Sequence, residues 1–258
     1  MSVASIRLII GAIILIIYFN YKKLKFKLSF KEIKYIFLIA LIGNLIPFSL
    51  ISWAEVYIKS NTAGILLSIG PIFALIFSHF MTKDDKFSIL KLISILIGFV
   101  GVILIFGLDS LHLTSKNFLP KIAIIISALG YVLSSIFAYN LKKIDPVSLT
   151  TTVTLFAALL SIPFLIFSEL RFESSFSLSA VLALIYLGIF PTAVAFLIRF
   201  YIISKAGPIF LSYVAYLIPV FAILWGYIFL KETIGIITFT GVLLVLVGVF
   251  VGQKKSNV

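Results

Sequence analysis

Long apolar stretches separated by short polar connectors account for nearly the whole chain of 258 residues. Each stretch has about 17–25 residues, the length that an α-helix needs to cross a bilayer. The stretches lack the alternation of barrel strands, and in lipid only helices and closed barrels satisfy the backbone. The pattern therefore predicts an all-α polytopic membrane protein with nine spans, at residues 3–19, 35–56, 62–80, 89–107, 119–140, 147–168, 179–203, 209–230 and 234–252.

The stretch 179–252 repeats the stretch 35–107. The second copy should lie inverted in the membrane, because five spans separate equivalent positions. Inverted repeats of apolar helices are typical of secondary transporters. The aligned pairs are Pro47 with Pro191, Glu55 with Arg199, Pro71 with Pro219, and Asp84 with Glu232.

Composition and charge agree with a membrane location. Apolar residues make up 62% of the chain, and cysteine is absent, which excludes disulfides and thiol chemistry. The net charge is +12. Of the 21 basic residues, 15 lie in or next to alternate connectors, Arg199 included. This bias predicts a multi-pass protein of the cell membrane with a cytoplasmic C-terminus, and it explains the positive charge without a nucleic-acid partner.

The repeat also predicts a domain division. Residues 1–107 form the first repeat, residues 119–252 the second, and residues 253–258 a cytoplasmic tail. Span 119–140 has no partner in the first repeat, which would therefore lack its first helix. Either the true start lies upstream or the protein is a nine-span variant, and the upstream start is favoured.

Three stretches carry a family resemblance: SIRLIIGAIIL, SIGPIFALIFSHFMTKDD and LSYVAYLIPVFAILWGYIFLKETIGIITFTGVLLVLVGVFVG. Over essentially its whole length the chain resembles the EamA-type permeases of the drug/metabolite transporter superfamily. Their pattern in each half is a helix with a central proline, an acidic turn and a glycine-spaced last helix. Here it falls on Pro71 and Pro219, Asp84 or Asp85 and Glu232, and Gly101, Gly241 and Gly248.

The resemblance implies ten helices in two inverted halves around a central cavity, and transport of amino acids, other metabolites or drugs. Two departures are the absent first helix and Ser94, which stands where Gly241 predicts a glycine.

Four prolines lie near the centres of their spans. A proline frees the carbonyl four residues earlier, so these helices should expose acceptors to a cavity rather than to lipid. Polar and aromatic residues accompany them, and Tyr213 with Tyr216 should form a substrate-contacting wall. The predicted pathway residues are Asn44, Pro47, Trp53, Ser68, Pro71, Tyr131, Ser135, Thr192, Arg199, Tyr213, Tyr216 and Pro219.

Charges within the spans are few. Glu55 is the candidate for ion coupling, and Glu55 and Arg199 are weighed equally as membrane anchors and as functional residues. Arg7 should extend to the outer headgroups, and His79 should lie at the interface.

Small residues on two helices indicate close helix packing. Ser94, Gly98 and Gly101 share one face, and Gly241 and Gly248 share another. Packing within each half is the favoured use, and a homodimer contact is the alternative.

Other classes of function are disfavoured. No catalytic or metal-binding constellation is evident, and Asp84-Asp85 has the form of a solvated turn. We therefore expect no enzyme activity, no metal site and no cofactor, and we expect a small-molecule substrate and membrane lipid as partners. The predicted function is secondary transport by alternating access, with efflux as the expected direction. An ion or solute channel and an inactive truncated transporter remain as alternatives.

Overall fold

The structure, a computed structural model, describes residues 2–25, 28–107, 117–167, 177–231 and 233–253. Regular structure within these ranges is helical throughout. The helices are α1 Ser2–Tyr21, α2 Phe30–Ala40, α3 Ile46–Ala54, α4 Ser60–Leu67, α5 Gly70–Met81, α6 Ile89–Phe106, α7 Phe118–Asn140, α8 Pro146–Phe167, α9 Leu178–Gly188, α10 Ala195–Ser212, α11 Val214–Leu230 and α12 Ile236–Gln253. π-helical turns join α2 to α3 at Leu41–Leu45 and α9 to α10 at Ile189–Val194.

Eight segments of the described chain are long and apolar enough to cross a membrane, and Val214–Phe229 is a shorter apolar helix. This arrangement confirms the predicted class, an all-α polytopic membrane protein. Glu232 and residues 254–258 of the predicted tail lie outside the described residues. The division into two inverted repeats stays a prediction.

The second span begins at Phe30, before the predicted residue 35. The Ser29 side chain accepts a hydrogen bond from the Glu32 backbone N–H at 3.3 Å, and the Glu32 carboxylate accepts one from the Ser29 backbone N–H at 2.7 Å. This capping box starts the helix inside a lysine-rich stretch. The apolar pattern alone had placed that stretch in a loop.

The seventh span is also longer than the predicted 179–203, because α10 continues to a break at Gly207. Gly207 has φ 86° and ψ 169°, a conformation that is almost confined to glycine. Pro208 then opens a short helical turn, and α11 begins only at Val214 rather than at 209. The predicted connector at 204–208 therefore contains the break, and helical structure resumes next to residue 209, where the eighth span was predicted to begin.

The glycine faces of α6 and α12 pack against each other. A Cβ on Gly101 would lie 2.7 Å from the carbonyl oxygen of Gly241, and a Cβ on Gly248 would lie 2.7 Å from that of Ser94. These two helices belong to different predicted halves, so the expectation of packing within each half is wrong. The close contact is made across the halves, and a homodimer stays a prediction.

Candidate functional site

Helix α7 lies at the centre of the bundle and packs against α3, α5 and α10. Small residues allow the closest approach, at the π-helical turn Leu41–Leu45. A Cβ on Gly130 would lie 2.5 Å from the carbonyl oxygen of Ile42 and 3.3 Å from the Pro47 ring. Buried Asn44 belongs to the same turn. Two predicted pathway residues, Asn44 and Pro47, therefore lie beside the central helix.

Arg199 of α10 is bound to the middle of α7. One terminal nitrogen of its guanidinium donates to the Ser134 hydroxyl at 2.9 Å and to the Ser135 hydroxyl at 3.2 Å. The same nitrogen lies 3.3 Å from the backbone carbonyl oxygen of Tyr131. Because α10 continues beyond the predicted end of its span, Arg199 lies roughly two helical turns before the break at Gly207.

The two serines are oriented for this contact by their own helix. Both hydroxyls donate to the carbonyl oxygen of Tyr131, from Ser134 at 2.9 Å and from Ser135 at 2.7 Å. Each hydroxyl proton is thereby used, and the oxygen lone pairs are left to accept from a cation. Ser134 and the predicted pathway residue Ser135 thus present acceptors to Arg199.

Arg7 of α1 reaches into the bundle from another side. Its Nε donates to the Thr192 hydroxyl at 3.0 Å, and one terminal nitrogen donates to the Pro191 carbonyl at 3.4 Å. The Thr192 hydroxyl donates in turn to the carbonyl of Leu187 at 2.8 Å, the acceptor that Pro191 frees. The expectation that Arg7 extends to the outer headgroups is therefore wrong.

Aromatic rings lie between the two arginines. The Arg7 guanidinium is 4.8 Å from the centroid of Phe48, and that of Arg199 is 5.6 Å from the centroid of Tyr131. The Phe48 and Tyr131 centroids are 6.5 Å apart in an edge-on arrangement. We call Arg7, Phe48, Tyr131, Thr192 and Arg199 the central site. It joins α1, α3, α7, α10 and the second π-helical turn.

Some predicted pathway residues lie away from the central site. Tyr216 has no exposed surface, and its hydroxyl donates to the carbonyl of Ile95 at 3.0 Å. The hydroxyl of Tyr213 lies 2.6 Å from that of Ser94. Both tyrosines are thus held against α6, and their predicted role as a wall of the pathway gains no support from this geometry.

The remaining predicted residues are dispersed. Ser68 and Pro71 are buried at the break between α4 and α5, where the Ser68 hydroxyl donates to the Gly64 carbonyl at 2.8 Å. Pro219 is buried within α11. Trp53 is 42% exposed, and Glu55 is exposed at the C-cap of α3. The structure does not bring Glu55 to the central site.

A second polar group lies at the loop after α5. Asp85 is buried, and its carboxylate pairs with Lys91 at 2.8 Å and accepts from the Ile209 backbone N–H at 2.9 Å. Asp84 pairs with Lys142, which follows α7. We call Asp84, Asp85, Lys91, Lys142 and Ile209 the closure cluster. The Asp84-Asp85 pair is therefore not a simple solvated turn, because Asp85 ties the loop after α5 to α10.

Sequence reasoning missed Arg7 and Phe48 as parts of the site. An arginine inside an apolar span was the available signal for Arg7. Phe48 carries no signal of its own, because phenylalanines are abundant in this chain. In the described part of the chain no group of three or more His, Asp or Glu side chains could hold a metal ion.

An apolar helical bundle with eight segments long enough to cross a bilayer and a partly buried cationic centre defines a multi-pass membrane protein. The model of the EamA-like transporter family matches residues 1–107 and 118–251, so the chain belongs to this family.

Similar proteins carry transporter names. The uncharacterized transporter YoaV of Bacillus subtilis (strain 168) is 23% identical, with 96% of this chain and 85% of that protein covered. An uncharacterized transporter of Archaeoglobus fulgidus is 26% identical, with 89% and 80% covered. A solved crystal structure matches with a TM-score of 0.85 at 16% identity, covering 98% of this chain and 86% of that one, which shows a shared fold.

Proposed function

We propose that this protein is a secondary transporter that moves small organic solutes across the cell membrane by alternating access, with efflux as its direction. The observation that carries the proposal is the central site. It is a polar, cationic group placed between helices inside an otherwise apolar bundle. Charged side chains inside a membrane protein are costly, and they commonly mark the path of a substrate or an ion.

The closure cluster supports a mechanism with two conformations. The two ion pairs and the Asp85–Ile209 hydrogen bond join the loop after α5 to α6, to the end of α7 and to α10. These contacts support a proposed state in which this end of the bundle is shut, and in this mechanism they break when a solute leaves the central site toward it. Discrete contacts that form in one state and break in the other are what alternating access needs.

Hinges for such a change are present near the central site. The π-helical turns at Leu41–Leu45 and Ile189–Val194 lie at Pro47 and Pro191, which the predicted inverted repeat pairs. π-helical turns often mark functional positions in helices. In the proposed mechanism the two turns and Gly207 allow the helices to tilt while the centre of the bundle stays packed.

The experiment is a transport assay with the full-length protein. Cells or proteoliposomes containing it are screened for uptake and efflux of amino acids, organic acids and toxic analogues. Saturable flux that unlabelled solute competes for supports the proposal. A large unitary conductance without saturation would contradict it and favour a channel. The same assay in both directions measures whether efflux dominates.

A further inference from the structure

We propose that the central site takes a small organic anion whose negative charge is compensated by Arg7 and Arg199. This inference rests on the proposed transport function and names the class of its substrate. It starts from the charge of the site. Both guanidinium groups are partly buried, and in the described part of the chain neither forms an ion pair. Their partners are the neutral oxygens of hydroxyls and backbone carbonyls.

The arginines have donors left for a ligand. Every hydrogen bond that Arg199 makes to a described residue comes from a single terminal nitrogen. Arg7 uses its Nε and one terminal nitrogen. A guanidinium carries five N–H groups, so donors on both arginines remain. Hydrogen bonds from arginine to a carboxylate are among the stronger ones in proteins, and burial strengthens them further.

The described carboxylates argue against a substrate that carries an amino group as well. A zwitterion or a cation needs a negative partner, and no described acidic residue offers one at the central site. Each of these residues is engaged or lies elsewhere: Glu32 in the capping box, Glu55 at the exposed end of α3, Asp84 and Asp85 in the closure cluster, and Asp145 accepting from the Ser148 backbone N–H at 2.9 Å.

The aromatic rings of the central site can contact an apolar part of the same substrate molecule. Phe48 lies 6.4 Å from Phe196 and 6.5 Å from Tyr131, centroid to centroid. A flat or branched apolar group can pack against these rings while its carboxylate reaches the arginines. The preferred substrate is therefore a monocarboxylate with an aromatic or aliphatic body, and its neutral amide should be a poor ligand.

The test measures ligand-induced stabilisation of the purified full-length protein, because a ligand that binds the native state raises its melting temperature. The probes are benzoate, 3-phenylpropionate and succinate, each compared with its neutral amide. We expect one or both monocarboxylates to stabilise the protein and their amides not to do so. Arg199→Gln and Arg7→Gln should each weaken the binding about 10-fold or more. Lys205→Gln, which removes an exposed charge from the same helix as Arg199, should leave it unchanged.

Two further variants test whether a loss of binding results from misfolding rather than from the loss of the Arg199 side chain. Arg199→Lys keeps the charge but loses the planar fork, so its affinity should lie between those of the wild type and Arg199→Gln. Ser135→Ala removes one acceptor that positions Arg199 and should weaken carboxylate binding by less than Arg199→Gln. Equal stabilisation by acids and amides, no stabilisation by any acid, or wild-type affinity in Arg199→Gln would overturn the inference.

The two proposals fail separately. Saturable transport of a solute in a protein that does not distinguish acids from amides would leave the transport function standing and exclude the anion class. Carboxylate binding that depends on Arg199, without transport of any carboxylate in proteoliposomes, would support the site and contradict the proposed function.

Discussion

Asp85 accepts a hydrogen bond from the backbone N–H of Ile209 at 2.9 Å, although the two residues belong to different halves of the chain. The contact depends on Gly207, whose positive-φ conformation turns the backbone so that the N–H of Ile209, directly after Pro208, points at the carboxylate. Asp85 therefore caps a helical turn that is far from it in sequence, and Lys91 compensates its charge at 2.8 Å.

Gly207→Ala should destabilise the protein. A Cβ at this position would lie 2.7 Å from a carboxylate oxygen of Asp85, and the backbone conformation costs a non-glycine residue about 1–3 kcal/mol. The measurement is the melting temperature in detergent. Gly235→Ala is the matched control, because no atom lies within 4 Å of the added Cβ. Equal stability of the two variants would contradict the role given to Gly207.

The Asp84–Lys142 pair should respond to pH only at the extremes. The hydrogen bond and charge of Lys142 lower the pKa of Asp84, and Asp84 raises the pKa of Lys142. The stabilisation from Asp84 is present above the ordinary pKa of aspartate and is lost as pH falls through its lowered pKa. The stabilisation from Lys142 is present below the ordinary pKa of lysine and is lost as pH rises through its raised pKa. The difference in melting temperature between wild type and Asp84→Asn should thus stay constant from about pH 5 to pH 9. A change centred near neutral pH would contradict this assignment.

Tyr213→Phe should reduce stability more than transport. The substitution removes a hydrogen bond to Ser94 that is worth about 0.5–1.5 kcal/mol and leaves the packing of the ring intact. Combined with Ser94→Ala, it should show coupling in a double-mutant cycle of unfolding. An altered substrate preference at unchanged stability would instead restore the predicted wall of the pathway.

Single-cysteine labelling should separate the π-helical turn at Leu41–Leu45 from the packed core. The chain has no native cysteine, so each introduced thiol is the sole target of a water-soluble reagent. Both positions are buried in this conformation, but Asn44 belongs to a proposed hinge, whereas Tyr216 is held against α6. We therefore expect Asn44→Cys to be labelled during transport and protected by substrate, and Tyr216→Cys to stay unlabelled. Labelling at 216 with protection by substrate would show that α11 lines the pathway.

The C-terminus should be cytoplasmic. The uneven distribution of basic residues favours this orientation. A C-terminal alkaline phosphatase fusion should be inactive, and a C-terminal green fluorescent protein fusion should be fluorescent. The reverse pair of results would invert the topology and place the closure cluster on the outer side.

The sequence by itself determined the class of protein and the approximate positions of its spans. In lipid every backbone polar group must find a hydrogen-bond partner within its own segment, so a sufficiently long apolar segment forms a helix. The same local chemistry placed Pro191 correctly as a source of a freed carbonyl, since the effect of proline reaches only four residues back.

Only the tertiary structure decided what the intramembrane charges contact. Arg7 and Thr192 lie far apart in the sequence, and the direction of a long side chain depends on which helices surround it. The same holds for the glycine faces of α6 and α12: their sequence indicates close packing but does not show which helix each face packs against. Apolar length is a property of each segment alone, whereas the central site is made of single residues from separate helices, and their meeting is fixed by how the bundle packs.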